Sequence, residues 1–172
     1  MVAPWAFALV LATGMTGGPP IGPGAWQHVR PAEAGMAAIL RDGSHRSATL
    51  RRLIDTLERS DVIVYLEFGH CAFGHVDGCI LPFLERRGGS RYLRIVIRRT
   101  LLPDRLLATT AHELQHVVEV SDDPGAVDVD SMRALYRRIG VQYCGEANVD
   151  CHETSAAQAA GRRVLEELSR KP

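Results

Sequence analysis

The chain has no excess of either charge: twenty Lys and Arg offset twenty Asp and Glu over 172 residues. That removes the electrostatic reason to expect nucleic acid or an anionic membrane surface as partner. The arginine pairs Arg51-Arg52, Arg86-Arg87 and Arg98-Arg99 read as solvated faces rather than a binding stripe. No apolar run is long enough to span a bilayer, so no stable membrane insertion is expected. The four cysteines contain no Cys-x-x-Cys pair, which argues against a zinc site built from thiolates. Asp122, Asp123, Asp128 and Asp130 lack the Gly and terminal Glu of a regular calcium loop. Neither an internal repeat nor a linker divides the chain, so residues 26–172 are expected to form one domain.

What is present begins with an apolar stretch, Val2 to Ala12, running into a Gly/Pro-rich segment through Gly24. Its length suits the h-region of a secretory signal, so residues 1–25 are read as a signal or disordered segment and the protein as secreted or periplasmic. No Lys or Arg precedes Arg30. Either the signal is atypical, or the natural start lies further upstream, or this is an apolar tail on a cytoplasmic protein. Cysteine usage favours export, because Cys71 with Cys79 and Cys144 with Cys151 form two local pairs suited to disulfides in an oxidising compartment. Four cysteines allow three pairings, and sequence does not choose among them.

Apolar spacing predicts a helix over Ser44 to Ser60, with Ala48, Leu50, Leu53, Ile54 and Leu57 on its buried face. Asp61 to Phe68 reads as a strand, rich in β-branched and aromatic residues. Two further strands, Cys79 to Glu85 and Tyr92 to Arg98, flank a hairpin loop at Arg86-Arg87-Gly88-Gly89-Ser90, which points to a small antiparallel or mixed sheet. A helix begins near Leu102-Pro103-Asp104, since proline and an acid both suit a first helical turn. It should run to about Val120 and stop at Ser121-Asp122-Asp123-Pro124-Gly125. Two more helices follow: Asp128 to Ile139, with Met132, Leu135, Tyr136 and Ile139 on one side, and Glu153 to Leu168. The fold class expected is α+β, a small sheet packed against helices.

The helix that begins near Leu102 carries the chemistry. Its run Thr109-Thr110-Ala111-His112-Glu113-Leu114-Gln115-His116-Val117-Val118 holds His-Glu-x-x-His in helical context. Residues four apart lie on one helical face about one turn from each other, so both imidazoles can grip a single metal ion. Zinc takes neutral nitrogen donors and in catalytic sites leaves a position open for water, whose proton the adjacent Glu113 carboxylate can accept. The flanking residues are uncharged and contain no proline, as a helix packed in the interior behind a metal requires.

This motif, after a sheet and before a further helix bearing an acid, resembles the zincin metallopeptidases, with the gluzincin-like arrangement of a minimal catalytic domain. The likeness in order of elements covers residues 61–170, and its specific part is Thr109 to Val118. The resemblance implies that His112 and His116 are ligands of Zn²⁺, that Glu113 is the general base and acid, and that a glutamate on a later helix is the third ligand. It also implies an extended substrate lying along an edge strand, which nominates Tyr92 to Arg98.

For the third ligand, Glu153 is the preferred residue, 37 residues beyond His116 at the start of the last predicted helix and followed by small side chains. His152, Asp150 and Glu146 remain alternatives, with His152 notable because imidazole suits zinc equally well. Glu119 shares the helical face but lies roughly 10 Å along the axis from His112, so a supporting hydrogen bond to a ligand fits it better. Asp122 has the spacing of the extended signature known in some metzincin-like peptidases, but Glu119 stands where that signature needs glycine to turn the chain. His70 and His75 could line the cleft, and Tyr136 and Tyr143 could donate to a transition state, although Tyr136 suits a core position equally well.

The function expected is therefore a zinc-dependent hydrolase, a peptidase acting on a peptide or protein substrate. Two alternatives stay open: a zincin-fold binding or structural protein without hydrolysis, and a zinc hydrolase acting on a non-peptide amide or ester.

Overall fold

The computed structural model describes residues 26–72, 76–142 and 152–170. Its elements run β1 (Val29–Pro31), α1 (Ala34–Arg46), α2 (Ala48–Glu58), β2 (Val62–Phe68), β3 (Gly78–Arg87), β4 (Ser90–Ile97), α3 (Pro103–Asp122), α4 (Val129–Ile139), β5 (Val141–Gln142), β6 (His152–Glu153) and α5 (Ser155–Ser169). The architecture is α+β, with a four-stranded sheet of order β1-β2-β4-β3 and a separate two-stranded ribbon of β5 and β6. Among the described residues no helix is long and apolar enough to cross a membrane.

The sheet is mixed. Strands β1, β2 and β4 run parallel, and β3 returns antiparallel to β4 through the predicted hairpin. That order corrects one expectation, because the strand holding Tyr92 to Ile97 lies between two others and has no free edge. Its burial alternates from Ser90 to Ile95, with Arg94 exposed, and only the run Ile95-Val96-Ile97 is buried throughout. The edges belong to β1 and β3, and the pairing of β3 is interrupted by a register shift between Ile80 and Leu84.

Where one helix was expected over Ser44 to Ser60, there are two. The chain turns to extended geometry at Ser47, whose hydroxyl accepts a hydrogen bond from the Leu50 backbone N–H at 3.0 Å and so starts α2. Such an N-cap contributes about 1 kcal/mol. The same hydroxyl donates to Glu167 of α5 at 2.5 Å, joining the two helices.

Helix α3 is the central element. Leu106, Leu107, Ala111, Leu114, Val117 and Val120 bury one broad face of it in a single core shared with α2, α5 and the sheet. Its end is tied down by Arg91, whose side chain is only 3% exposed. The guanidinium pairs with both carboxylate oxygens of Asp61 and donates to the carbonyls of Val120, Ser121, Asp123 and Ala126. A cation at a helix C-terminus also complements the dipole. The Arg91 hydrogen bond holds the Asp61 carboxyl below the usual range.

Candidate metal centre

Helix α3 turns His112, Glu113 and His116 away from the core's apolar side, as the motif spacing requires. The two imidazole rings meet edge to face with centroids 5.0 Å apart. Glu153 reaches them from β6, its Oε2 lying 3.2 Å from His112 Nε2 and its Oε1 3.5 Å from His116 Nε2. One ligand atom from each of the three residues lies within 4.8 Å of the other two, so the group could hold a metal ion. The sequence reading placed Glu153 at the start of the last helix. It lies two residues earlier, in the ribbon, and Thr154 caps α5 by accepting from the Ala157 N–H at 3.1 Å.

The close approach of α5 to α3 depends on a glycine. A β-carbon on Gly161 would stand 3.2 Å from the Ala108 carbonyl oxygen and 3.5 Å from His112 Cβ. Glycine therefore lets the helix that follows Glu153 lie directly behind a ligand.

A chain of hydrogen bonds backs the second histidine. His116 Nδ1 meets Glu119 Oε2 at 2.9 Å, and Glu119 Oε1 accepts from the Thr154 hydroxyl at 2.6 Å. Tyr136 Oη donates to the His116 backbone carbonyl at 2.8 Å, and its ring stands perpendicular to the imidazole. Glu119 therefore has the supporting place expected of it, whereas the Tyr136 hydroxyl is spent on the backbone behind the site. Burial pushes that hydroxyl well above its usual range.

Charge is concentrated here. Burial alone would pull the His116 imidazole down, but the carboxylates of Glu119 and Glu153 outweigh it and push the group up to about 9. Burial likewise works against the Glu153 carboxylate, and hydrogen bonds from His112 and His116 prevail, holding it at about 2. The same carboxylates that favour a protonated His116 also favour a bound cation at this site.

Glu113 is 6% exposed, and its carboxylate makes no hydrogen bond among the described residues. Burial raises its pKa, the two histidines offsetting this in part. The start of the edge strand crosses beside it: a β-carbon on Gly78 would come 3.1 Å from Glu113 Cγ and 2.7 Å from Thr109 Cγ2. This crossing is fastened on both sides. Cys79 is disulfide-bonded to Cys71, and Asp77 bridges Arg98 at 3.3 Å and Arg105 at 3.0 Å.

The chain matches no family model, no curated protein and no solved structure. Its function is therefore read from the chemistry of the site.

Of the other candidates, Asp122 is the exposed last residue of α3 and does not join the cluster, and His70 is exposed. His152 neighbours Glu153 in the ribbon but is not one of the three converging residues. His75, Tyr143, Cys144, Glu146, Asp150, Cys151 and the 1–25 segment lie outside the described residues. Sequence reasoning missed Arg91, Asp77, Thr154 and the role of Gly78. Only Thr154 had a local signal, being a hydroxyl residue just before a helical run.

Proposed function

We propose that this protein is a zinc-dependent hydrolase and, more specifically, a peptidase, with His112, His116 and Glu153 holding the ion and Glu113 as the catalytic residue. The observation that carries the reading is the convergence of two imidazole nitrogens and one carboxylate within 4.8 Å beside the buried carboxylate of Glu113. Two nitrogen donors and one oxygen donor are a set that suits zinc with a position left open. Bound there, zinc would lower the pKa of a water molecule and polarise a substrate carbonyl.

The rest falls to the chain's own residues. Glu113 takes a proton from the attacking water on its carboxylate and returns it to the leaving nitrogen, so one group serves as base and then acid. Burial raises its pKa, which makes the carboxylate a stronger base toward the attacking water. Glu119 and Tyr136 hold His116 in place, and Gly161 lets α5 brace His112.

An extended substrate finds its free backbone partners on β3. The Arg98 N–H donates to the Asp77 carbonyl at 2.8 Å, which marks Asp77 and Arg98 as a hydrogen-bonded pair. By the alternation of an antiparallel ladder, the N–H and C=O of Gly78 and Ile80 point away from β4. A peptide laid against them would pass over Glu113 as an added strand. The Cys71–Cys79 disulfide supports work in an oxidising, extracytoplasmic setting.

Metal analysis and a mixed peptide library test the reading. Purified protein should hold about one zinc per chain, reduced in His112→Ala and His116→Ala, and Glu113→Gln should keep zinc while losing cleavage. A wild type that takes up no zinc even when it is supplied defeats the metal reading. One that binds zinc and cleaves neither peptides nor simple esters points instead to a non-catalytic scaffold.

A further inference from the structure

A general base works only when its oxygen lies within hydrogen-bond reach of the water it activates, and a misplacement of about 1 Å can cost on the order of 100-fold in rate. The Glu113 carboxylate has no hydrogen bond among the described residues, so packing against its side chain decides where it points. From outside α3 that packing includes Gly78 at the start of β3, which sits so close over α3 and β4 that a β-carbon there would also meet Ile97 Cδ1 at 2.9 Å.

Little pairing holds Gly78 in that place. The ladder joins Gly78, Cys79 and Ile80 to Ile97, Val96 and Ile95, then loses register before Leu84. The segment beside Glu113 is thus cut off from the pairing at the hairpin end. Two further ties hold it. Asp77 joins it to Arg98, just past β4, and to Arg105 in the first turn of α3. The Arg105 side chain is 59% exposed, so solvent screens that pair, and the covalent tie is the stronger. This is the Cys71–Cys79 disulfide. Successive strand residues alternate between faces, so Cys79 is gripped from the face opposite the one Gly78 presents to Glu113. Cys71 Sγ in turn stands 4.0 Å from the carbonyl oxygen of Val96, the residue paired with Cys79.

We propose that the Cys71–Cys79 disulfide is a positioning element for Glu113 and makes hydrolysis depend on oxidising surroundings. The inference rests on the peptidase reading and adds regulation to it. In reduction a dithiol gives two electrons and two protons to the S–S bond, leaving two cysteine thiols here and a cyclic disulfide on the reductant. The start of β3 then loosens beside Glu113, while His112, His116 and Glu153 stand on α3 and in the ribbon and keep the metal. The same chain is active in an oxidising compartment and idle, though zinc-loaded, in a reducing one.

The test compares zinc-loaded wild type with Cys71→Ser/Cys79→Ser, each before and after treatment with a water-soluble phosphine, which takes an oxygen from water as the disulfide takes its two hydrogens. Zinc content and Tm are measured for every sample, and kcat and KM are read well below the lowest Tm on a peptide that the wild type cleaves. Reduced wild type and the double variant should both hold about one zinc per chain and lose about tenfold or more in kcat, with KM within about threefold. Reoxidation should restore the wild type alone. Phosphine should change the double variant no further, which separates this disulfide from Cys144 and Cys151. Amide hydrogen exchange should quicken from Asp77 to Ile80 and stay slow in α3. Folded, zinc-loaded protein with full kcat in the absence of the disulfide would overturn the assignment and leave the peptidase reading intact. So would a rise in KM alone, which would place the effect on substrate binding, and so would unfolding or loss of zinc, which would make the disulfide a support of the whole fold. An oxidised wild type that binds zinc but cuts no peptide overturns the peptidase reading and this assignment with it.

Discussion

His116 Nδ1 and Glu119 Oε2 lie 2.9 Å apart, one turn along the same helix, and the second oxygen of that carboxylate is held by Thr154, the residue next to Glu153. A single carboxylate thus joins two segments that converge on the candidate metal centre, one through an imidazole and one through a helix cap.

Removing that carboxylate should weaken the metal without removing a ligand. Glu119→Gln is expected to lower zinc affinity roughly 10–100-fold, as loss of partners to metal-bound histidines generally does. Competition against a chromogenic chelator measures it, and unchanged affinity would show that His116 needs no such partner.

The metal-free protein should have an alkaline weakness that zinc removes. The folded pKa of His116, about 9, is raised above its ordinary 6.5, so the stability it contributes is complete below pH 6.5 and is lost as pH rises through 9. Glu153 is depressed from 4.5 to about 2, so its contribution is present above pH 4.5 and is lost as pH falls toward 2. These are two ends of one interaction, and in EDTA it should be strongest between pH 4.5 and 6.5. With saturating zinc the ion replaces the proton, and Tm should no longer fall between pH 6.5 and 9. Calorimetry in the two conditions decides; a flat metal-free profile over that interval would contradict it.

Glu113→Gln should abolish cleavage and still stabilise the metal-free protein at neutral pH. Burial raises the folded pKa of Glu113, so ionising it costs stability as pH climbs above its ordinary 4.5 toward the folded value. A neutral amide of nearly the same shape escapes that cost. Chemical denaturation at pH 7 in EDTA should give a higher midpoint for the variant than for wild type, with the difference vanishing below pH 4.5.

Arg91→Lys should destabilise the fold far more than a surface Arg→Lys. An ammonium cannot reproduce the planar fork that reaches Asp61 and four carbonyls. Asp61 is 43% exposed, so solvent screens that half of the contact, and the loss comes mainly from the buried carbonyls left without a donor, about 1–3 kcal/mol. Urea unfolding measures the loss, and a change under 1 kcal/mol would mean that water takes over the carbonyls.

Local pattern carried much of this structure. Helical periodicity and a proline start delimited α3 to within two residues, and β2, the β3–β4 hairpin and α4 were likewise legible. Strand order was not, because pairing partners are chosen by the whole sheet. The break at Ser47 escaped because its cap completes a contact with Glu167, 120 residues away. At the site, the motif residues followed from spacing and Glu153 from the resemblance. Arg91 and Asp77 act through acceptors and arginines distant in sequence, and no local signal marks them.

The order of the ligands along the chain has a consequence during synthesis. Glu153 follows His116 by 37 residues, and α5, which braces His112, comes later still. At ~5–20 residues per second, the ribosome takes roughly 2–7 s to cover that interval. Until then a nascent chain has the two imidazoles of the motif but lacks the third converging residue, Glu153. The three candidate ligands can therefore converge only after the late segment has been made and has docked on α3.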